Sequence, residues 1–280
     1  MPRSARPCPA PAARPRAGHG TPAPRPLALL AAAVAALLTL TACGGDAHGP
    51  ADGTAPGHEV TLTVLAAASL TEVFDAAGEA YRETHPGTRL RFSYAGSQEL
   101  AAQVRQGAPA DVLATADTGT MASVADRTDE PRIFARNALT LVTPPGNPAG
   151  VERLADLADP DLRLVLAAEE VPAGRYGRQL LDRQQLRVSP DSEENDVRSV
   201  LGKVQLGEAD AGLVYTTDAL AAGEDAVHVV PIPEEQNITA AYPVAALTDS
   251  AHHEAAADFA GWLLGPEAQR LLRDAGFQAP

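Results

Sequence analysis

From residue 60 onward the chain alternates short apolar runs with amphipathic stretches, and this alternation constrains the fold more than any other feature. Residues 60–66, VTLTVLA, read as a strand. A helix follows to about residue 83, with Leu70, Val73, Phe74, Ala77 and Tyr81 on one stripe. Ser69 is placed as its N-cap, with Glu72 three residues on to complete a capping box. Further strands are expected at 90–94, 111–114, 138–143, 163–167, 211–215, 227–231 and 242–247. Helices are expected at 99–106, closed by Gly107, and at 174–186, 196–206, 252–264 and 266–275. Strands alternating with helices predict an α/β fold with a largely parallel sheet. Pro144-Pro145-Gly146-Asn147-Pro148 is a strong breaker. No internal repeat is present.

The N-terminal segment reads differently. Arg3, Arg6, Arg14, Arg16 and Arg25 precede an apolar run at 27–40, and no acidic residue occurs before Asp46. A basic segment, a short apolar run and small residues describe an export signal. The apolar stretch to Ala42 is 16 residues long, short of the roughly 20 needed to span hydrocarbon. The closing Leu40-Thr41-Ala42-Cys43 resembles a bacterial lipobox. That resemblance implies cleavage before Cys43 and lipidation of its thiol. Residues 1–42 are then a lipoprotein signal peptide, and 43–58, rich in Gly, Pro and Ala, a flexible tether. The rest works outside the cell membrane, anchored to it by acyl chains.

Removing 42 of 280 residues leaves 238, enough for one large or two medium domains. The five arginines leave with the signal, which takes the formal charge from −14 to −19. So acidic a surface argues against nucleic acid and against anionic lipid head groups. It also repels anionic ligands, so an anion site here must work by local geometry. Cys8 and Cys43 are the only cysteines, so the exported body has no thiol, disulfide or Cys-ligated metal. His252-His253-Glu254 is a solvated helix start rather than a metal site, because adjacent helical residues point apart. The P-loop and the GxGxxG fingerprint are absent.

Two strand-to-helix turns place a serine where a helix begins, at Ala67-Ala68-Ser69-Leu70-Thr71 and Ala95-Gly96-Ser97-Gln98. Backbone N–H groups are unpaired there and the helix dipole is positive, which suits an anion. Plain capping is the ordinary role of such a serine, and each alone says little. Val171-Pro172-Ala173-Gly174 opens another helix, Asn195-Asp196-Val197 a fourth, and Gly212-Leu213-Val214-Tyr215 delivers a phenol at a strand end. Arg175 and Arg178 beside the third turn read as surface residues, with a lobe-closure contact as the other option.

In order and spacing, AAASL, YAGSQELAAQVRQGAPADV, VPAGRYG, ENDVRSVL, GLVYTTDA, AYPVA and WLLGPEAQRLLRDAGF resemble the molybdate-binding proteins of ABC transporters. The resemblance spans nearly all of residues 60–277. It implies a two-lobed type II periplasmic-binding-protein fold, with lobe 1 from 59–140 and 244–280, lobe 2 from 141–243, and Trp262 packed on lobe 1. It also implies an oxyanion, molybdate or tungstate, held by neutral donors. These are hydroxyl and backbone N–H of Ser69 and Ser97, backbone N–H of Ala173 and Val197, and the hydroxyl of Tyr215. No metal ligand, cofactor or catalytic residue is implied. The partner is an ABC permease, and the protein is expected to be a monomer.

Donors of this kind do not titrate between pH 6 and 9, so weak pH dependence is expected. An anion carrying a proton would meet a donor with no acceptor, which disfavours phosphate. Sulfate or thiosulfate in the same fold is the nearest alternative. A secreted serine hydrolase using Ser69 or Ser97 is a more distant one, since neither lies in a GxSxG elbow. A ferric-ion site would want clustered Tyr, His or carboxylate ligands, and only Tyr215 is expected in the cleft.

Overall fold

A computed structural model describes residues 59–280. The proposed signal, the tether and Cys43 lie outside the described residues. The strands are β1 (Val60–Ala67), β2 (Thr88–Ala95), β3 (Val112–Ala114), β4 (Arg132–Thr143), β5 (Leu164–Ala167), β6 (Ser192–Glu194), β7 (Ala211–Tyr215), β8 (His228–Val230) and β9 (Thr239–Ala246). The helices are α1 (Thr71–Thr84), α2 (Ser97–Arg105), α3 (Thr118–Ala122), α4 (Pro172–Arg183), α5 (Val197–Gln205), α6 (Thr216–Ala222), α7 (His253–Trp262) and α8 (Pro266–Asp274).

The strands form one sheet in the order β2-β1-β3-β9-β4-β7-β5-β6, with β8 pairing with β4. Each end is parallel: β1 with β2 and β3, and β5 with β6 and β7. Every antiparallel pair involves β4 or β9. The largely parallel expectation therefore holds at the two ends, and the strands joining them run antiparallel to their neighbours. β4 changes partner along its length. Arg132–Ala138 pairs with β9, and Leu139–Val142 pairs with β7. A single 12-residue strand thus belongs to both ends of the sheet.

Burial explains the elements. β3, β5 and β7 are buried along their whole length, as continuous apolar runs in parallel sheets require. β2 alternates half-buried and exposed residues as the edge strand beside β1. On α1 the stripe Val73, Phe74, Ala77 and Tyr81 is buried, as the sequence predicts. Phe74 packs on Phe92, Phe134 and Phe259 at centroid distances of 5.7, 5.7 and 6.4 Å. Trp262 at the end of α7 meets Tyr81 edge-on at 5.3 Å. The C-terminal helices therefore return to α1 at the β1–β3 end.

Two local expectations change. Ser69 does not cap α1. It sits in a short 3-10 turn, Ala68–Leu70, the N-cap is Leu70, and no side-chain capping bond forms. The Ser69 hydroxyl is taken by a tertiary contact instead. The helix expected from residue 99 begins at Ser97, with Gly96 as N-cap. β6, α3 and α6 were not expected from the sequence. They have three, five and seven residues, too short to show a period.

A candidate oxyanion site between helix starts

The carboxyl ends of β1, β2, β5 and β7 and the starts of the helices beside them meet around a small cavity. Ala67, Ser69, Gly96, Ser97, Ala173, Val197 and Tyr215 are among its lining residues. All five residues expected to hold an anion are thus brought together, from four separate turns and one strand end. The cavity is narrow, with room for about one water-sized occupant. Among the described residues, no Lys, Arg or His side chain lines it.

Each donor is there for a local reason. α4 begins with Pro172, and its first i to i−4 bond runs from the Arg175 N–H to the Val171 carbonyl at 2.9 Å. The Ala173 N–H therefore has no partner inside the helix. Gly174 allows this helix start to press on the end of β5: a Cβ there would lie 1.9 Å from the Ala168 carbonyl oxygen. In α5 the Asp196 carboxylate caps Ser199 N–H at 2.9 Å, which leaves Val197 N–H at the first turn. In α2 the first intrahelical donors are Glu99 and Leu100, both to the Gly96 carbonyl, so the Ser97 N–H is also outside the helix ladder.

The side chains add directed hydroxyls. Ser97 is buried, and its Oγ accepts from Ala116 N–H at 3.0 Å, which leaves its own proton for the cavity. Ser69 Oγ lies 2.9 Å from the Tyr242 hydroxyl. Tyr215 is 1% exposed, and its hydroxyl has no hydrogen-bonding partner among the described residues. Leaving a buried hydroxyl unpaired costs about 1–3 kcal/mol, and such groups are rare. Burial also pushes its phenol well above the ordinary value, so it remains a neutral donor.

Charged groups stand behind this lining and join the two ends of the sheet. Arg175, two residues after Ala173, donates through Nε and Nη2 to Asp117 Oδ2 at 2.9 and 2.6 Å. Its Nη2 also reaches Thr120 Oγ1 at 2.6 Å. Arg198, next to Val197, pairs with Glu72 on α1 and lies 3.0 Å from Asp218 on α6. Gln98 Nε2 donates to the Asn195 carbonyl at 2.6 Å. Gly96 packs against the same carbonyl, and a Cβ there would lie 2.4 Å from it. Arg175 is therefore a bridging residue rather than a surface one. Its partner Asp117 lies outside every matched motif, and Arg198, Asp218 and Tyr242 have no signal in the sequence beyond membership of one.

Asp218 is fully buried, and burial raises its pKa to about 7, with Arg198 partly opposing the rise. Its Oδ2 accepts from the Tyr215 N–H at 3.1 Å. Among the described residues no cluster of His, Cys, Asp or Glu could hold a metal ion.

The fold and this cage of neutral donors define a class, the solute-binding proteins, and the chain belongs to the bacterial extracellular solute-binding protein family, whose family model matches residues 62–278. Within that class it is 38% identical over 246 residues to the molybdate-binding protein ModA of Mycobacterium tuberculosis H37Rv, covering 86% of this chain and 93% of that one. It is 30% identical over 229 residues to a putative ABC transporter substrate-binding lipoprotein, YvgL, of Bacillus subtilis, covering 79% and 87%. Among solved structures, the substrate-binding domain of a putative molybdenum ABC transporter from Clostridium difficile superposes with a TM-score of 0.59 at 28% identity. That match covers 79% of this chain and 99% of the other.

Proposed function

We propose that this protein captures molybdate, and with it tungstate, outside the cell membrane for an ABC importer. The observation that carries the reading is the unpartnered, buried Tyr215 hydroxyl in a cavity lined by serine hydroxyls and helix-start N–H groups, with no cation among them. A dianion stripped of water is very costly unless many donors replace that water. Donors to a charged acceptor are the strong kind, and they need no countercharge in contact. The names of the M. tuberculosis and C. difficile proteins agree with this ligand class.

The donor set is Ser69, Ser97, Ala173, Val197 and Tyr215. Ser69 and Ser97 come from one end of the sheet, and Ala173, Val197 and Tyr215 from the other. Binding therefore draws the two ends together as lobes. The hinge lies where β4 changes partner after Ala138, and in the segment before β9. We take the lobes as 59–138 with 239–280 and 139–238 in place of 59–140 with 244–280 and 141–243, a division supported by the change of partner along β4 and by the pairing of β9 as one strand with β3 and β4. The closed form then docks on a permease. Lipidation of Cys43 would hold it at the membrane, in keeping with the lipoprotein name of the B. subtilis relative.

The reading is one of binding without chemistry. Ser69 Oγ bonds to a tyrosine and Ser97 Oγ to a backbone N–H. Among the described residues, neither serine is hydrogen-bonded to the histidine that a hydrolase nucleophile needs. Thermal melting against sodium molybdate, tungstate, sulfate, phosphate and ferric citrate, with an esterase substrate assayed in parallel, tests the assignment. Molybdate and tungstate should raise the midpoint most. A larger rise with sulfate or ferric ion, or turnover of the ester, would overturn it.

A further inference from the structure

The AYPVA strand carries a residue to which the five-residue cage gives no role. Tyr242 is fully buried in β9, with its hydroxyl 2.9 Å from Ser69 Oγ and 3.4 Å from Asn137 Nδ2. Asn137, also buried, fixes the direction of the protons. Its Oδ1 accepts from the Ala138 N–H at 3.0 Å, so the opposite end of the amide is the NH2 group. That group donates to Thr217 Oγ1 at 2.8 Å and to the Tyr242 oxygen. An amide NH2 cannot accept in return. The proton of Tyr242 therefore goes to its other partner, Ser69 Oγ. With that oxygen accepting, the proton of Ser69 is free for the cavity that Ser69 lines.

We propose that Tyr242, set by Asn137, is a positioning residue that holds Ser69 as a donor toward the bound oxyanion and so biases the cage against anions that carry a proton. The inference rests on the oxyanion reading of the cleft. Its chemistry is local. Either of the two lone pairs on Ser69 Oγ would welcome the hydroxyl of a hydrogen phosphate, and Tyr242 occupies one of them. Burial holds the Tyr242 phenol far above its ordinary pKa, so the relay keeps its proton at any working pH.

Tyr242→Phe removes only the hydroxyl, keeping a ring that meets Phe134, Tyr215 and Phe277 edge-on. Calorimetric titration with sodium molybdate, carried to millimolar anion, would compare wild type, Tyr242→Phe, Ser69→Ala, Ser97→Ala and the two double variants that add Tyr242→Phe to each serine change, with melting curves to confirm folding. Loss of one hydrogen bond should weaken binding roughly threefold to tenfold in Tyr242→Phe. In the Ser69→Ala background the same change should cost less than twofold, whereas in a Ser97→Ala background it should keep its full effect. Equal losses in both backgrounds would mean that Tyr242 acts only through packing, and the inference would fall.

A second reading uses wild type and Tyr242→Phe alone. The preference for molybdate over hydrogen phosphate at pH 6.5 should shrink at least twofold in the variant, and an unchanged preference would also overturn the proposal. If wild type binds molybdate and the cycle is additive, only this inference fails. If wild type binds no oxyanion, the reading beneath it fails as well.

Discussion

At the scale of single residues, the proposed site relies on hydroxyl and backbone N–H donors, with no cationic side chain among the described residues that line it. Tyr215 and Ser97 show how much each hydroxyl should matter. Both are buried, and both present a proton that the protein itself does not use. A hydrogen bond to a charged acceptor contributes about 1.5–3 kcal/mol, so Ser97→Ala and Tyr215→Phe should each weaken molybdate binding about tenfold to a hundredfold. Melting midpoints should stay close to wild type, because neither hydroxyl supports the core. Titration of both variants checks this, and unchanged affinity in both would remove these residues from the site. These two residues were visible in the sequence because they end or begin elements within dense motifs. Tyr242 was not, although it lies within the AYPVA motif. A tyrosine in an apolar strand reads as core, and only the 2.9 Å contact with Ser69, 173 positions away, gives it a task. Ser69 itself was read as a cap from the local pattern Ser-x-x-Glu. A tertiary partner took its hydroxyl, and Glu72 turned outward to Arg198.

At the scale of elements, the positions of the helix starts were legible and their couplings were not. Pro172 at the first position of α4 and Asp196 before α5 are local signals. The short α6 left no periodic trace, yet it brings Asp218 beneath Tyr215 and beside Arg198. That carboxyl places one titration inside the window where neutral donors alone predict none. Its folded pKa of about 7 lies above its ordinary value of 3.8, so the folded state holds the proton more tightly than the unfolded chain. The resulting contribution to stability is full below pH 4 and is lost as pH rises toward 7. The loss cannot exceed about 1.4 kcal/mol per pH unit. Asp218→Asn keeps an oxygen for the Tyr215 N–H and removes the titration. Urea midpoints at pH 4.5 and 7.5 should therefore drop less between the two values, or rise more, in Asp218→Asn than in wild type. The comparison with wild type matters because Asp156 and Asp210, whose pKa values are lowered, act in the opposite direction. Identical pH responses would show that Asp218 is ionised throughout, held so by Arg198.

At the scale of the whole molecule, an acidic protein is read as the carrier of a doubly charged anion. The alternation of strands and helices gave the α/β class, and the motif order gave the type II arrangement. The antiparallel run of β4 and β9 between the two ends was not legible, since pairing direction depends on partners distant in sequence. The ion pairs Arg175–Asp117 and Arg198–Glu72 and the Gln98–Asn195 bond were equally hidden, because each joins residues from opposite ends of the sheet. They stand just behind the donors and leave no cationic side chain among the described lining residues, where the one acidic residue, Asp196, has its carboxylate engaged by the Ser199 N–H. Short-range donors in a buried cavity are screened little by mobile ions, whereas a net charge of −14, or −19 once the proposed signal is removed, slows an approaching dianion most at low salt. The most direct test of the neutral cage is therefore calorimetric affinity for molybdate at low and high sodium chloride, at pH 8, with sulfate titrated alongside. Affinity for molybdate should stay level or rise slightly with salt and should exceed that for sulfate at both. A loss of more than tenfold with salt, or tighter binding of sulfate, would contradict the account.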